Sequence, residues 1–208
     1  MIANLEFFPT LRYFRCNKFN YEVINLLELL KKRRSIRKFK KDKVPNDLIN
    51  QIIQAALLSP SSRKINPWEF IVVDDENYLE KLSHSKIHGS HFLKNAPLGI
   101  VVVADENKSD VWIEDTSISS IIIQLTAHSL GLGSCWIQIR NRMNSENQTA
   151  EDYIKNLLAI PDNYKVESII AIGYPDENKP PHTEKELQFE KVHLNKFNKP
   201  FFSTSDEQ

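Results

Sequence analysis

Cysteine is nearly absent from this chain. Two residues, Cys16 and Cys135, stand far apart among 208. They leave no disulfide framework and no Cys-x-x-Cys metal spacing, and they make a reducing cytoplasm the expected compartment. Long apolar runs are missing too. The longest, such as PLGIVVVA, reach about half of the ~20 residues a membrane span requires, so no membrane partner is expected. The first twenty residues, MIANLEFFPTLRYFRCNKFN, have no basic start and no uninterrupted apolar stretch before Arg12 and Arg15, and do not read as a secretory signal. Net charge is zero, 27 cations against 27 acids, which excludes a chain that is basic throughout. There is no Walker sequence, no Gly-x-Ser-x-Gly elbow, no internal repeat and no dividing linker. The remaining composition, 41% hydrophobic and 26% charged, is that of a globular protein long enough for one large domain with a substantial core.

The zero net charge conceals an asymmetry. Lys31 to Lys43 carries nine cations and one acid, whereas Glu146 to Glu190 carries ten acids and four cations. The basic block follows a helical pattern, Val23, Leu26, Leu27 and Leu30, whose spacing predicts a docked amphipathic helix. A second helix is expected over Pro45 to Leu58, with Leu48, Ile49, Ile52, Ile53 and Ala56 inward and the proline at its start. The longest helix is expected between Asp110 and Leu130, with Ile118, Ile121, Ile122 and Leu125 as its apolar face and Gly131 as its stop. Thr149 and Asp152 approximate a capping box for a further helix that Pro161 ends.

Four short runs, WEFIVV, PLGIVVVA, SCWIQI and ESIIAIGYP, are rich in Val, Ile and aromatics and read as mostly buried strands. Alternating helices and strands favour a layered architecture and, taken naively, a parallel doubly wound sheet; periodicity does not decide strand direction. Beyond Gly173 the composition turns to proline and charge, which suits an extended surface arm.

Three polar constellations stand out. RRSIRKF mixes Arg33, Arg34, Ser35 and Arg37 with the apolar Ile36 and Phe39. A solvated face or a nucleic-acid contact are the plain readings of a basic block, but arginine forks beside a hydroxyl suit a partly buried phosphate. SPSSRKINPWEF places hydroxyls, Arg63, Lys64 and Asn66 in a loop that Pro67 and Trp68 fix against a strand, where a simple turn is the alternative. GLGSCWIQI lacks a preceding strand and has Trp136 at the third glycine position of a dinucleotide fingerprint, so that reading fails. Gly131 is explained as a helix stop and Gly133 as a tight turn. His84, His88 and His91 have a helical metal-ligand spacing, but Gly89 interrupts it and no carboxylate joins, so no metal is expected. Cys135 reads as a small buried strand residue, with a thiol nucleophile as the lesser alternative.

In this order and spacing, RRSIRKF, SPSSRKINPWEF, GLGSCW and AIGYP resemble the nitroreductase family, from Leu26 to about His193. The resemblance implies an α+β, three-layer fold with a mostly antiparallel central sheet flanked by helices. It also implies a homodimer with FMN at its interface and NADH or NADPH as co-substrate. Along the chain an aromatic tail is expected over residues 1–20, the FMN-binding domain of the resemblance over 21–175, and a C-terminal arm over 176–208 that extends over the partner.

Carried over by motif, Arg33, Arg34 and Ser35 resemble ligands of the FMN phosphate and ribityl chain, and Arg37 the cation near the pyrimidine edge. Pro60, Ser61 and Ser62 resemble a flavin-contacting loop from the partner subunit. Backbone around Trp136, Ile137 and Gln138 resembles the stretch facing flavin N5, and Gly173 the residue beneath the phosphate. Lys185 or Lys191 is the C-terminal candidate for a phosphate contact. Lys64 and Asn66 depart from the family's usual asparagine and glutamine. The implied reaction passes a hydride from nicotinamide to N5 and then to a small acceptor such as a nitroaromatic, quinone or enone. Reductive dehalogenation on the same scaffold, or a non-redox phosphate- or nucleic-acid-binding module, remain the alternatives, and no nucleic-acid partner is expected under the leading reading.

Overall fold

The structure is a computed structural model that describes residues 25–202; the aromatic tail, like Val23, lies outside them. The first helix, α1 (Leu26–Lys32), starts where the Asn25 side chain accepts the Leu27 N–H. It leads through an extended segment to α2 (Asn46–Leu57), which Pro45 opens. Then follow β1 (Trp68–Val73), α3 (Glu76–Ser83), capped by Asp75, a short 3-10 turn at His91–Asn95, and β2 (Leu98–Asp105). The long α4 (Trp112–Ser129) precedes β3 (Gly133–Gln138), and a small hairpin pairs β4 (Met143–Ser145) with β5 (Gln148–Thr149). In α5 (Ala150–Leu158) the Thr149 hydroxyl accepts the Asp152 N–H at 3.0 Å, as the capping pattern predicts, and left-handed Ala159 closes the helix. The last strand is β6 (Tyr164–Gly173).

The central sheet has the order β1-β2-β6-β3, and every pair is antiparallel. Helix–strand alternation alone favours parallel strands, and the antiparallel order is the one the family resemblance implies. Periodicity fails here because β2 is buried at every position and β6 at all but its first two, so inward and outward faces do not alternate in hydropathy. Leu98, Ile100, Val102, Ile170 and Ile172 pack toward α2 and α4. Val101, Val103, Ile169 and Ala171 pack toward α3 and α5 on the other face. Three layers result.

Three expectations need correction. The face of α4 that meets the sheet is not the isoleucine stripe; the helix buries Thr116, Ser119, Ser120, Ile123, Gln124 and Ala127 and leaves Ile118 and Ile121 exposed. Small hydroxyl residues let the helix approach closely and satisfy themselves locally: Thr116 donates to the Trp112 carbonyl at 2.7 Å and Ser119 to that of Thr116 at 2.9 Å. Likewise, α1 buries none of its residues.

Gly133 is not a turn residue either. Gly131, at φ +79°, makes the turn after α4, while Gly133 opens β3 and is small because Ile36 lies against it. Gly173, its partner across the sheet, has a similar constraint: an added Cβ would stand 2.5 Å from Pro97 Cδ. Pro97 is a rigid ring that cannot swing away, so Gly173→Ala is expected to destabilise the fold by about 1–3 kcal/mol. Urea unfolding reads this as a lower midpoint at constant slope, and an unchanged midpoint contradicts it.

Candidate functional site

The basic block leaves α1 at Arg33 in extended conformation and runs across the end of the sheet. Ser35 pairs with Ser134 in a parallel bridge, and the Ile36 N–H donates to the Ser134 carbonyl at 2.9 Å. Ile36 and Phe39 are buried anchors on either side of Arg37. Further on, Phe39 pairs with Pro175, the Lys40 N–H donates to the Tyr174 carbonyl, and the Asp176 N–H donates to that of Lys38, both at 2.9 Å. The segment is thus held between the start of β3 and the chain that leaves β6.

That chain forms a strap. Glu177 accepts the Arg37 N–H at 2.5 Å and the Lys38 N–H at 3.2 Å, and the first of these bonds, more than any other influence, holds its carboxyl below the usual range. Lys179 donates to the Ser35 carbonyl and lies 3.5 Å from Glu177. The Arg34 guanidinium donates to the Pro180 carbonyl. Arg34 also lines a cavity of about 190 Å³ with Lys32, Ile36, His128, Gly133 and Lys179.

Arg33, Ser35, Arg37 and Lys179 all act electrostatically on the thiol of Cys135, the residue after the Ser35–Ser134 bridge. Burial pushes this thiol up, against the pull of Arg37, a Ser35 hydrogen bond, Lys179 and Arg33, so it remains a protonated strand residue and no nucleophile. Lys86 adds a half-buried cation whose pKa is lowered by burial and then by Arg142. One residue earlier in β3, and so on the opposite face of the strand from the thiol, the Ser134 hydroxyl is buried with no partner among the described residues. Arginines and a serine hydroxyl held at the start of β3 suit an anionic, hydroxylated ligand. Strand β3 is the sheet's edge, with β6 on one side only. Beyond the Ser35 bridge its outer edge therefore presents backbone from Trp136 to Gln138 for a ligand. The Trp136 indole donates to Gln138 Oε1 at 2.9 Å, and Gln138 Nε2 donates to Glu167 Oε1 at 3.3 Å.

The serine loop is built separately. Ser61 donates to Asn66 Oδ1 at 2.6 Å and accepts the Asn66 N–H at 3.0 Å. Ser62 N–H donates to the buried Asp115 carboxylate of α4 at 2.8 Å, and Arg63 pairs with Asp110. Arg63, Lys64 and Asn66 are all left-handed, at φ 54°, 56° and 51°. Such backbone is costly for non-glycine residues and persists where the surroundings impose it. Pro60 and Lys64 are exposed. Among the described residues no hydrogen bond joins this loop to the basic segment of the same chain; it is tied to α4 and the turn before it.

Of the remaining sequence candidates, Ile137 is buried in β3, and Gly173 ends β6, where packing against Pro97 and Phe39 demands a glycine. Lys185 and Lys191 sit exposed on short 3-10 turns at Glu184–Glu186 and Phe189–Lys191. The three histidines do not share a helical face, because α3 ends at Ser83. Sequence reasoning missed Lys86, Glu167, Glu177 and Lys179. Their partners lie far along the chain, and only the solitary acid heading the apolar run ESIIAIG was conspicuous.

Comparison with known proteins agrees with this architecture. The profile of the nitroreductase family matches residues 30–89 and 83–174. A protein of Methanothermobacter thermautotrophicus provisionally named NADH dehydrogenase/NAD(P)H nitroreductase is 37% identical over 177 residues, which is 84% of this chain and 88% of that protein. One from Thermotoga neapolitana named iodotyrosine deiodinase is 25% identical over 192 residues, 78% of this chain and 95% of the other. Among solved structures, an FMN-dependent nitroreductase from Clostridium difficile R20291 superposes with a TM-score of 0.82 at 53% identity, covering 82% of this chain and 99% of its own. The chain belongs to the nitroreductase family.

Proposed function

We propose that this chain is an FMN-dependent NAD(P)H oxidoreductase that reduces small acceptors and works as a homodimer. The observation that carries the reading is the docking of the segment Arg33 to Arg37 onto the start of β3, where Lys179 of the strap donates to the Ser35 carbonyl. Bound FMN supplies a hydride acceptor and, once reduced, a hydride donor, so that a nicotinamide and a second substrate use one site in turn.

The residues divide the work. Arg33 and Ser35 hold the phosphate and ribityl chain, while Arg34, turned to Pro180, locks the strap behind them. Arg37, fixed by Glu177 through its backbone and lying 5.8 Å from the Phe92 ring, sets a positive charge at the pyrimidine edge, where it favours the electron-rich reduced form. The edge of β3 from Trp136 to Gln138 presents its backbone toward N5. No side-chain nucleophile is needed, in keeping with the protonated state of Cys135.

Dimerisation completes the site. Leu26, Leu27 and Leu30 of α1, Leu57 and Leu58 at the end of α2, and Ile118 and Ile121 of α4 are exposed large apolar residues. A surface of this kind marks an interface, and a second copy fits it because the serine loop is tied to α4 rather than to its own basic segment. The loop of one copy then reaches the cofactor held by the other. Against a nucleic-acid module, the start of the basic segment, Arg33 to Ser35, is half-buried and clasped by the strap. Against dehalogenation, the stretch between α3 and β2 is short, running from His84 to Pro97.

The purified protein is expected to show a flavin absorption spectrum with one FMN per chain released on heating. Loss of a charge-assisted bond costs about 1.5–3 kcal/mol, so Arg33→Ala raises the Kd for FMN by roughly 10- to 100-fold. A colourless protein that refuses added FMN contradicts the reading. Lys64, exposed and left-handed, adds a cation at the mouth that favours acidic acceptors or a nicotinamide phosphate. Lys64→Asn is therefore expected to shift the kcat/KM ratio for NADPH over NADH or for acidic over neutral acceptors; unchanged ratios overturn this role.

A further inference from the structure

The pairing of β2 with β6 slips by one residue at Glu167. Val102 faces Ser168 and Val103 faces Val166, so Glu167 is the extra residue of a bulge. Bulges re-aim side chains and end pairing, and both effects are visible. Val166 packs with Ile169 and Ala171 toward α3 and α5. Ser168 turns to the other face and meets Ser120 of α4 at 3.1 Å. Glu167 joins it there, with Oε1 accepting from Gln138 Nε2 at 3.3 Å. The Glu167 carbonyl meanwhile accepts from the N–H groups of Ile139 at 3.0 Å and Arg140 at 3.2 Å, so regular β3–β6 pairing stops just past Gln138.

The carboxyl is 4% exposed, and its second oxygen has no partner among the described residues. Gln138 is oriented from both ends: its Oε1 accepts from the Trp136 indole at 2.9 Å, and its Nε2 serves Glu167 and the Arg140 carbonyl, each at 3.3 Å. The groups that face Glu167 are Gln138 and Arg140 from β3 and its end and Glu114 from α4, while β2 offers only the apolar Val102 and Val103. Burial pushes the carboxyl up; the Gln138 bond and Arg140 oppose this, and Glu114 adds to it.

We propose that Glu167 is a positioning residue: its bulged carboxyl fixes the amide of Gln138 at the cofactor edge of β3 and, by ionising, makes flavin binding at that edge pH-dependent. The proposal rests on the flavin reading above. As a neutral acid, Glu167 holds Gln138 without adding charge. Ionised, it sets a negative charge in a low-dielectric site beside the strand edge and opposes electron density on a reduced flavin. The sign follows from the raised folded-state pKa: the folded chain keeps its proton longer than the unfolded one. The stability that this proton supplies is present in full at acid pH and is lost as pH rises through the raised value.

The test compares wild type, Glu167→Gln and Glu167→Leu across mildly acidic to alkaline pH. It measures the Kd for reduced FMN, the melting temperature of the apoprotein and the infrared C=O band of a protonated carboxylic acid. Wild type is expected to bind reduced FMN roughly 10-fold more weakly at the alkaline end and to lose the infrared band over the same range. Glu167→Gln, shaped like the neutral acid, lacks the band, keeps the acid-side affinity throughout and flattens the fall in melting temperature. Glu167→Leu binds more weakly at every pH because Gln138 loses its acceptor; if this variant does not fold, Glu167→Gln carries the test. FMN uptake with the same pH profile in wild type and Glu167→Gln overturns this inference alone. A wild type that takes up no FMN at any pH overturns the flavin reading and the inference with it.

Discussion

A missing methyl group at Gly133 governs the site. A Cβ on this residue would stand 2.9 Å from Cβ, Cγ1 and Cγ2 of Ile36, the stiff root of a β-branched side chain with little freedom to turn aside. Only with glycine there does the segment after α1 lie close enough for the Ile36 N–H to reach the Ser134 carbonyl at 2.9 Å. The placement of the cations follows from that contact. Arg33, Ser35 and Arg37 come to the Cys135 side, Arg34 goes to the strap, and Glu177 and Lys179 close over the backbone between them. Arg33 and Arg34 are thereby half-buried, while Arg37 and the lysines after it stay exposed.

The same economy of side-chain size shapes α4. With serine, threonine and alanine against the sheet, the helix lies close to β6, and the Ser120–Ser168 hydroxyl pair is buried between them. Its larger residues, Ile118 and Ile121, are left outward with the leucines of α1 and α2. The helix therefore has two faces, one small and polar against its own sheet and one apolar and exposed. Asp115, at its first turn, anchors the serine loop by accepting the Ser62 N–H at 2.8 Å.

Much of this was legible in the chain. The strand runs WEFIVV and PLGIVVVA became β1 and β2 at nearly the quoted limits, and Thr149 with Asp152 marked the start of α5. These signals are local, and local chemistry sets them. Strand direction was not legible, because a sheet covered on both faces removes the alternation that would distinguish its sides. The isoleucines of α4 misled for a related reason: hydrophobicity marks an apolar face without saying that the helix's own sheet will cover it. Gly133 read as a turn because the atoms that require a glycine belong to Ile36, far back in the chain. The bulge at Glu167 was likewise hidden, since the register slip exists only in relation to β2.

The central claim is that close docking of the basic segment onto β3 builds the flavin site, and the Kd for FMN of Gly133→Ala against wild type tests it most directly, with far-ultraviolet circular dichroism to confirm that the variant is folded. The account predicts a folded variant whose FMN affinity falls by roughly 10-fold or more, because a displaced segment withdraws the charged donors. A folded Gly133→Ala protein that binds FMN as tightly as wild type would contradict it.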